Sequence, residues 1–462
     1  MADGGYFFCG IGGSGMLPLA MLLRARGASV EGSDRAFDQG RLPELRDQIA
    51  AAGIRLHPQD GSGMRSPGQT LVTSSAVEAG IPDVIAASRV GAKRMIRAEL
   101  LAEIANAADV SVGIAGTSGK STTTAMLAHV LVGRGQDPAV VNGARMLTIR
   151  DEADRSCAWR DGEGAFVCEV DESDGSIALY APSVGVILNI SEDHKSMDEL
   201  ERLFGGYARR CGHVILGIDS APVADLASSL APGHATLIGR GGDLWAEEII
   251  ADGGAVSAEV VSGDGERVAL RLPVIGRFNI ANALAALAAA RHLGVQLDDG
   301  AAALADFRGT ARRLQSLGIA GGVAVIDDFA HNPDKIAASI GALTEQYDRL
   351  HLFYQPHGYG PLAAFRKLYE DAFAGSLRSS DRLFVSEPAY FGGTVRRTDD
   401  ARTLVANLAA RGLQARHVAA REEFADGLGT VRSGDAVVVM GARDDTLTEF
   451  ACRILGKLSV VL

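Results

Sequence analysis

The sequence predicts an α/β fold made of three successive blocks, each with a mostly parallel sheet. Short apolar runs alternate with helix-like segments along the chain, which is typical of parallel strands covered by helices. Two glycine-rich stretches, residues 10–15 and 116–119, each follow an apolar run and open a helical pattern, as nucleotide-binding loops do. The length of 462 residues suits about three ordinary domains.

Apolar runs between turn signals give the expected strands, and apolar residues at helical spacing give the expected helices. The expected strands are, in chain order, residues 6–9, 29–31, 71–75, 111–115, 165–170, 184–189, 213–218, 323–327, 350–354, 382–386 and 436–440. The expected helices include residues 16–26, 98–107, 121–132 and 279–293. Residues 244–275 alternate apolar and polar side chains around a Gly-Asp-Gly turn, which predicts a small antiparallel patch.

The composition is that of a globular protein and disfavours several classes of function. Hydrophobic residues make up 47% of the chain and charged residues 22%. The net charge of −12 disfavours a nucleic-acid partner, which usually requires a basic face. The five cysteines include no Cys-x-x-Cys pair, which argues against a disulfide framework or a zinc site. No signal peptide or membrane-length apolar stretch is apparent, so we expect a cytoplasmic protein without a membrane partner.

The first block, residues 1–107, predicts a Rossmann-like nucleotide-binding domain. Residues 10–15 fit the pattern G-x-G-x-x-G between a strand and a helix, and Asp34 ends the next strand, near the distance expected for a ribose-binding acid. Taken alone, this pattern is typical of an NAD-dependent dehydrogenase, and a tight turn without a ligand is the structural alternative. A dehydrogenase would not explain the second glycine-rich loop.

The second block, residues 108–313, contains a stronger signal for phosphate binding. Residues 116–121, Gly-Thr-Ser-Gly-Lys-Ser, lie between a predicted strand and a predicted helix. The glycines let backbone N–H groups face a phosphate, and the helix start adds unpaired donors and the positive end of its dipole. Ile114 departs from the strict P-loop pattern, which has glycine at that position. A glycine-rich turn with an incidental lysine is the alternative.

Side chains around this loop suit a nucleotide with Mg²⁺. Lys120 can neutralise terminal phosphate charge, and the Ser121 hydroxyl can bind the metal. Residues 169–174 place four carboxylates after the next predicted strand, where they could bind Mg²⁺ or position water. His194 follows another strand and makes a second metal position plausible. A solvated acidic turn is the alternative for residues 169–174.

The third block, residues 314–462, predicts another Rossmann-like domain with a site at its strand ends. His331 follows the first expected strand of this block, and His357 follows the second. Ligands of parallel sheets bind beyond the carboxyl ends of the strands. Histidines on two consecutive strand-to-helix loops therefore indicate a binding site.

Together these motifs resemble those of the Mur ligase family, nearly from end to end. The family's phosphate loop has the form G-T-x-G-K-[ST]-T, which accommodates Ile114. The matching stretches are FCGIGGSGM (8–16), GSD (32–34), SSA (74–76), RAELLAE (97–103), GTSGKSTTT (116–124), VNG (141–143), EVDESD (169–174), DH (193–194), GRFNIANA (276–283), RRL (312–314) and DDFAH (327–331).

The resemblance implies a three-domain ligase that uses ATP and Mg²⁺ to form an amide bond through an acyl phosphate. The alanine-adding branch of the family is the most similar. It implies a UDP-linked sugar acid, expected to be UDP-N-acetylmuramate, and an amino acid, expected to be L-alanine, as partners in peptidoglycan precursor synthesis. The glycine loop of the first block would then hold the UDP diphosphate, and the third block would bind the amine.

The resemblance also implies a role for individual residues. Lys120, His194 and His331 would be catalytic. The metal ligands would be Ser121, Glu169 and His194. The ATP-binding residues would be Gly116, Thr117, Ser118, Gly119, Lys120, Ser121, Thr122, Asn282 (adenine), Arg313 (phosphates) and Asp328 (ribose). The UDP substrate would contact Gly12, Gly13, Ser14, Asp34 and Ser75, and the amine would contact His331, His357 and Tyr359.

The departures from the family pattern concentrate at the amine. The third-domain loop of the family usually reads Q-P-H-R-Y-[ST]-R, whereas Gly358 and Pro361 stand where its arginines are expected. Arg396 and Arg397 are the candidates to supply the missing positive charge. Two alternatives therefore stay open: a ligase that adds a peptide or another amine, as in muropeptide recycling, and a weakened nucleotide-binding paralogue. The paralogue is disfavoured because the expected residues are intact: Lys120, Ser121, Glu169 and His194.

Overall fold

The computed structural model describes residues 4–192, 195–389, 400–429, 431–442, 444 and 446–461. They form three β-sheets with helices between the strands, which confirms the predicted three-domain α/β fold. The chain divides into two compact units. The first comprises Met1–Glu247, Glu259–Leu270 and Ile280–Phe307, and the second comprises Glu248–Ala258, Arg271–Asn279 and Arg308–Leu462. The domain boundaries near residues 107 and 313 stay a prediction. Among the described helices, none is both long enough and apolar enough to cross a membrane.

The first sheet has five strands in the order β3-β2-β1-β4-β5, all paired in parallel. Its strands are β1 (Tyr6–Cys9), β2 (Val30–Ser33), β3 (Arg55–His57), β4 (Thr70–Thr73) and β5 (Lys93–Ile96). Its helices are α1 (Met16–Ala25), α2 (Arg35–Asp38), α3 (Pro43–Ala51), α4 (Pro82–Val90) and α5 (Arg97–Ala107). The side chains of β1 alternate between two apolar clusters, with Phe8 in one and Phe7 in the other. The strand order reverses between β1 and β4, where such sheets bind ligands.

The second sheet has ten strands in the order β15-β14-β13-β12-β11-β10-β6-β9-β7-β8. Its strands are β6 (Ser111–Ala115), β7 (Ala139–Arg150), β8 (Ser156–Arg160), β9 (Phe166–Glu169), β10 (Val184–Ile187), β11 (His213–Gly217), β12 (Ala235–Ile238), β13 (Leu244–Asp252), β14 (Ala255–Ser262) and β15 (Arg267–Leu272). The associated helices are α6 (Lys120–Gly133), α7 (Met197–Arg210), α8 (Ala221–Ser228), α9 (Phe278–His292) and α10 (Leu297–Leu304), with a 3₁₀ turn at Ser176–Leu179. Strands β13 to β15, in the region that the sequence predicted as a small antiparallel patch, extend the edge of this sheet.

The third sheet has six strands in the order β16-β17-β21-β18-β19-β20, and only β16 runs antiparallel to its neighbour. Its strands are β16 (Gln315–Ala320), β17 (Val323–Asp328), β18 (Arg349–Tyr354), β19 (Arg382–Ser386), β20 (Gln414–Val418) and β21 (Asp435–Met440). Its helices are α11 (Pro333–Thr344), α12 (Tyr359–Ser376), α13 (Ala401–Ala410), α14 (Arg421–Gly427) and α15 (Thr446–Val461). The sequence did not predict the two edge strands β16 and β20, because edge strands are only partly apolar.

Candidate functional site

The glycine-rich loop of the first sheet lies at the end of β1, where the strand order reverses. Gly10 has a φ of +81°, which glycine adopts without strain. Gly12, Gly13 and Ser14 then lead into α1, and the last two are exposed. Ser75 is also exposed and follows β4, the strand beside β1. The predicted UDP-substrate residues therefore flank the crevice that ligands of such sheets occupy.

Asp34 shapes this loop. Its Oδ2 accepts a hydrogen bond from the Gly12 backbone N at 2.9 Å, and its Oδ1 accepts one from the Ala36 backbone N at 2.8 Å, which caps α2. A Cβ atom at Gly12 would lie 3.0 Å from Oδ2 and 3.1 Å from the Phe37 ring. The carboxylate that the sequence indicates as a ligand therefore also fixes the loop, and its close approach favours glycine at position 12.

The phosphate loop between β6 and α6 depends on two glycines. Gly116 has a φ of +141° and Gly119 a φ of +91°, which other residues rarely adopt. A Cβ atom at Gly116 would lie 3.0 Å from the Leu188 Cβ, and one at Gly119 would lie 2.4 Å from the Asn282 Oδ1. The structure thus places the buried Asn282, the predicted adenine ligand, directly against the predicted phosphate loop.

Asn189, which follows β10, fixes the middle of the phosphate loop. Its Oδ1 accepts a hydrogen bond from the Ser118 backbone N at 2.9 Å, and its Nδ2 donates to the Ser118 carbonyl at 3.1 Å. The Asn189 carbonyl accepts a hydrogen bond from the Thr117 backbone N at 3.2 Å. The Thr117 hydroxyl also donates to the Ser191 carbonyl at 3.2 Å. The segment that follows β10 therefore holds the loop, and Thr122 continues the loop into the first turn of α6.

Lys120 opens α6, and its side chain folds back over the loop. Its Nζ donates to the Gly116 carbonyl at 2.7 Å and to the Glu172 Oε2 at 2.8 Å. Burial raises the pKa of the Glu172 carboxyl, and the charge of Lys120 opposes this effect. For Asp171, burial acts to raise the pKa, but the Lys120 charge and hydrogen bonds from Ser173 outweigh it and leave the pKa lowered. The predicted phosphate-binding lysine therefore has an acidic partner in the loop after β9.

Two predicted metal ligands, Ser121 and Glu169, contact the adjacent residues Asn142 and Gly143. The Asn142 Nδ2 donates to the Ser121 carbonyl at 3.1 Å, and the backbone N of the adjacent Gly143 donates to the Glu169 Oε1 at 2.6 Å. A hydroxyl and a carboxylate are oxygen ligands that Mg²⁺ uses beside nucleotide phosphates. His194, the third predicted ligand, lies outside the described residues. Within the described part of the chain, no group of three or more His, Cys, Asp or Glu side chains is arranged to hold a metal.

In the second unit, Asp328 and Arg313 lie on adjoining segments. Asp328 ends β17, and its Oδ1 accepts a hydrogen bond from the Leu314 backbone N at 3.1 Å. Burial raises the pKa of the Asp328 carboxyl. The guanidinium carbons of Arg312 and Arg313 lie 5.1 and 5.0 Å from the centre of the Phe329 ring. The two residues predicted to contact ATP from this unit are thus held close to the end of β17.

The structure also brings together the two histidines predicted for the amine. The ring centres of His331 and His357 lie 5.1 Å apart. The His331 Nδ1 donates to the Phe329 carbonyl at 3.0 Å, and the Tyr369 hydroxyl donates to the His331 carbonyl at 2.8 Å. Tyr359 opens α12 two residues after His357. These loops form one polar region at the carboxyl edge of the third sheet.

A further polar cluster, which the sequence did not predict, lies at the end of β18. The Gln355 Oε1 accepts a hydrogen bond from the Arg421 Nη2 at 2.8 Å. Arg421 also pairs with Asp444 and donates to the Thr446 hydroxyl at 2.7 Å. The Asp444 Oδ1 accepts a hydrogen bond from the Thr446 backbone N at 3.0 Å. The cluster therefore joins the starts of α14 and α15 to the residue that precedes the His357 loop.

Sequence reasoning missed the residues that hold the predicted ligands in place. Glu172 belongs to a stretch that was predicted as acidic, but its pairing with the lysine depends on the folded loop. Asn189 lies five residues before the predicted metal ligand His194 in the sequence, and this spacing gives no sign of its contacts with Ser118. Arg421 has no signal in the sequence, because its partners come from distant segments. Arg396 and Arg397, predicted to supply positive charge, lie outside the described residues.

Models of one protein family match three successive parts of the chain. The family model described as "Mur ligase family, catalytic domain" matches residues 6–109. The "Mur ligase middle domain" model matches residues 114–290. The "Mur ligase, glutamate ligase domain" model matches residues 312–443. The phosphate loop thus falls in the middle-domain match, and both histidines of the polar region fall in the third match.

Individual proteins resemble the chain over nearly its whole length. A UDP-N-acetylmuramate–L-alanine ligase from a Synechococcus species is 35% identical over 451 residues, covering 95% of this chain and 84% of that protein. The crystal structure of a UDP-N-acetylmuramate–alanine ligase from Thermotoga maritima has the same fold, with a TM-score of 0.80, 24% identity, and coverage of 99% and 100% of the two chains. A murein peptide ligase from Psychrobacter arcticus has a TM-score of 0.70, 24% identity and 99% coverage of both chains. The chain belongs to the Mur ligase family.

Proposed function

We propose that this chain is an ATP-dependent ligase that joins UDP-N-acetylmuramate to L-alanine through an acyl phosphate. The proposal rests on a phosphate loop at residues 116–121 that hydrogen bonds with Asn189 and Lys120 hold in place. The chain that contains this loop is 35% identical to such a ligase over 95% of its length. The product would be a precursor of peptidoglycan. A cytoplasmic location, expected from the sequence, stays a prediction.

The proposed reaction has two steps. A carboxylate oxygen of the sugar acid attacks the γ-phosphorus of ATP, and ADP leaves with the electrons of the broken P–O bond. The amine nitrogen then attacks the acyl carbon, inorganic phosphate leaves, and the nitrogen loses a proton. Phosphoryl transfer of this kind needs positioning and positive charge more than a nucleophilic side chain.

The first unit supplies the groups for the phosphoryl transfer. The backbone N–H groups of residues 116–121 and the start of α6 would bind the phosphate oxygens, and Lys120 would stabilise the transferring group. Ser121 and Glu169 would hold a Mg²⁺ beside the ATP phosphates, and His194 is proposed to hold a second ion. When bound, Mg²⁺ would neutralise charge on the phosphates. Asn282 is proposed to contact adenine.

The remaining predicted ligands are assigned to the other parts of the substrates. The loop of Gly12, Gly13 and Ser14, shaped by Asp34, would hold the UDP diphosphate together with Ser75. Arg313 is proposed to contact the ATP phosphates, and Asp328 is proposed to accept hydrogen bonds from the ribose. His331, His357 and Tyr359 are proposed to face the amine.

A second candidate is a ligase that adds a peptide or another amine to the same sugar acid. One feature of the chain favours it: residues 355–361 contain no lysine or arginine, because Gly358 and Pro361 stand at the positions where the family has arginines. An amino-acid carboxylate in a closed site needs a fixed positive charge. A peptide substrate would not need a positive charge at this loop, because its carboxylates lie farther from the reacting amine.

Release of ADP from ATP with UDP-N-acetylmuramate and a panel of amines distinguishes these functions. The panel contains L-alanine, glycine, L-serine and the tripeptide L-alanyl-γ-D-glutamyl-meso-diaminopimelate, and the Lys120→Ala variant serves as the blank. We expect ADP release that requires both the sugar acid and L-alanine. Release of ADP with UDP-N-acetylmuramate and the tripeptide, but not with L-alanine, would establish the second candidate. An absence of release with every pair would contradict ligase activity.

A further inference from the structure

We infer that Glu172 is a positioning residue that holds Lys120 when no nucleotide is bound and competes with the terminal phosphates of ATP for it. The inference rests on the proposed function, since it assumes that ATP binds the loop at residues 116–121. It concerns a residue that the sequence analysis grouped with three other carboxylates and to which the resemblance assigned no role.

Lys120 makes two contacts: one can persist when a phosphate binds, and a phosphate oxygen can replace the other. The Nζ atom donates to the Gly116 carbonyl at 2.7 Å and to the Glu172 Oε2 at 2.8 Å. Gly116 belongs to the phosphate loop itself, so its contact can persist while a phosphate is bound. Glu172 belongs to the loop after β9, so its carboxylate takes the place that a phosphate oxygen would take beside the ammonium group.

Burial strengthens the Lys120–Glu172 ion pair enough to affect ATP binding. The side chains of Lys120 and Glu172 are only 16% and 7% exposed. Solvent therefore screens this pair less than it screens an ion pair on the surface. A bound ATP must replace the carboxylate beside Lys120 or accept its negative charge nearby, and either effect weakens ATP binding.

The same loop offers a matched control. Asp174 lies two residues after Glu172 and is also an acid, but its Oδ1 accepts a hydrogen bond from the Ser176 backbone N at 2.9 Å, within its own loop. Asp174→Asn therefore removes one negative charge from the same loop without removing the partner of Lys120. Glu172→Gln removes the charge at the partner itself and keeps the shape of the side chain.

The test measures the affinity of the full chain for ATP without Mg²⁺, and for adenosine, by titration calorimetry. We expect Glu172→Gln to bind ATP about tenfold more tightly than the wild type, because a charged competitor for Lys120 is gone. Adenosine has no phosphates, so its affinity should stay unchanged. Asp174→Asn should bind both ligands as the wild type does.

A second variant keeps the test informative if Glu172→Gln is poorly folded. Glu172→Asp keeps the charge but shortens the reach to Lys120, and we expect its ATP affinity to lie between those of the wild type and Glu172→Gln. If the wild type binds ATP and neither variant binds it more tightly, the inference is wrong. An equal gain for adenosine would also contradict it, since the effect would then not involve the phosphates. A wild type that binds ATP neither with nor without Mg²⁺ would instead contradict the proposed function.

Discussion

The phosphate loop of the first unit and the strand-end loops of the second hold their charged side chains in different ways. In the first, Lys120 lies within a continuous motif of six residues, and its acidic partner Glu172 comes from a neighbouring strand end. In the second, Arg421 pairs with Asp444, 23 residues away, and also donates a hydrogen bond to Gln355 from yet another loop.

This difference explains which site a sequence can reveal. The phosphate loop needs two glycines, a lysine and a hydroxyl at fixed spacing, because consecutive backbone N–H groups bind the phosphate. The amine region needs only that side chains from several loops converge, and many spacings achieve this. The two cation–acid pairs also differ in purpose: we expect the Lys120 pair to open when ATP binds and the Arg421 pair to persist as part of the fold.

The largest expected effect comes from removing Lys120. We expect Lys120→Ala to lower ATP turnover by about a thousandfold or more, because the charge on the transferring phosphoryl group loses its main partner. Binding of the UDP-sugar acid should stay within about twofold of wild type, since its loop follows a different sheet. Parallel measurement of ADP release and of UDP-N-acetylmuramate binding checks this. If a folded Lys120→Ala variant lost ATP turnover and UDP-N-acetylmuramate binding to the same extent, the two phosphate-binding loops would belong to a single site.

The amine region of the second unit is tested by Arg396→Ala/Arg397→Ala. If these residues bind the amino-acid carboxylate, kcat/KM for L-alanine should fall roughly ten- to a hundredfold, since each charged hydrogen bond contributes about 1.5–3 kcal/mol. Arg402→Ala, at an exposed position of α13, is the control and should behave as the wild type. Efficient ligation of L-alanine by the double variant would show that the carboxylate is bound elsewhere.

The support of the phosphate loop is tested by Asn189→Ala. Its side chain makes two hydrogen bonds with Ser118, so we expect ATP to bind about tenfold more weakly while binding of the UDP-sugar acid stays unchanged. Asn106→Ala is a matched control, because the Asn106 side chain also makes two hydrogen bonds, with the Leu179 carbonyl and the Ala181 backbone N. Equal ATP affinity of the two variants would mean that the loop holds its shape without Asn189.

Most of the fold followed from the sequence because buried parallel strands are continuous apolar runs. The strand Ser111–Ala115 and the central strands of the third sheet were predicted to within about two residues for this reason. The edge strand Gln414–Val418 was missed because exposed and partly buried residues alternate in it with little apolar character. The alternating pattern of residues 244–275 predicted a small antiparallel patch but did not reveal that these strands continue a larger sheet.

The candidate site was predictable only where a motif carries the chemistry. The loop at residues 116–121 and the glycine loop at residues 10–15 were found from spacing alone. The supports Asn189 and Glu172 could not be assigned, because their contacts depend on which strand ends become neighbours in the folded sheet. A polar residue at a strand end is a weak signal by itself, since solvated turns are rich in such residues.

The smallest expected effect concerns the Arg421–Asp444 pair, in which the side chains are 20% and 18% exposed. For Asp444, burial acts to raise the pKa, but hydrogen bonds from Thr446 and the charge of Arg421 outweigh it and leave the pKa lowered. The pair should therefore stabilise the folded state fully above the ordinary aspartate pKa, near 4. Its contribution should be lost as the pH falls through the lower pKa of the folded state.

Asp444→Asn keeps a side chain that can cap α15 but removes the charge. We expect it to lower the free energy of unfolding of the second unit by about 1 kcal/mol at neutral pH. The difference from wild type should stay constant between about pH 8 and 5 and shrink below about pH 4. Hydrogen exchange of backbone amides in β18 and β21 measures it, with Asp426→Asn as the control, since the Asp426 side chain is 76% exposed. ATP affinity should not change. If Asp444→Asn bound ATP more tightly than the wild type, the Arg421–Asp444 pair would also weaken ATP binding. The two pairs would then not differ in the way that we infer for Lys120–Glu172.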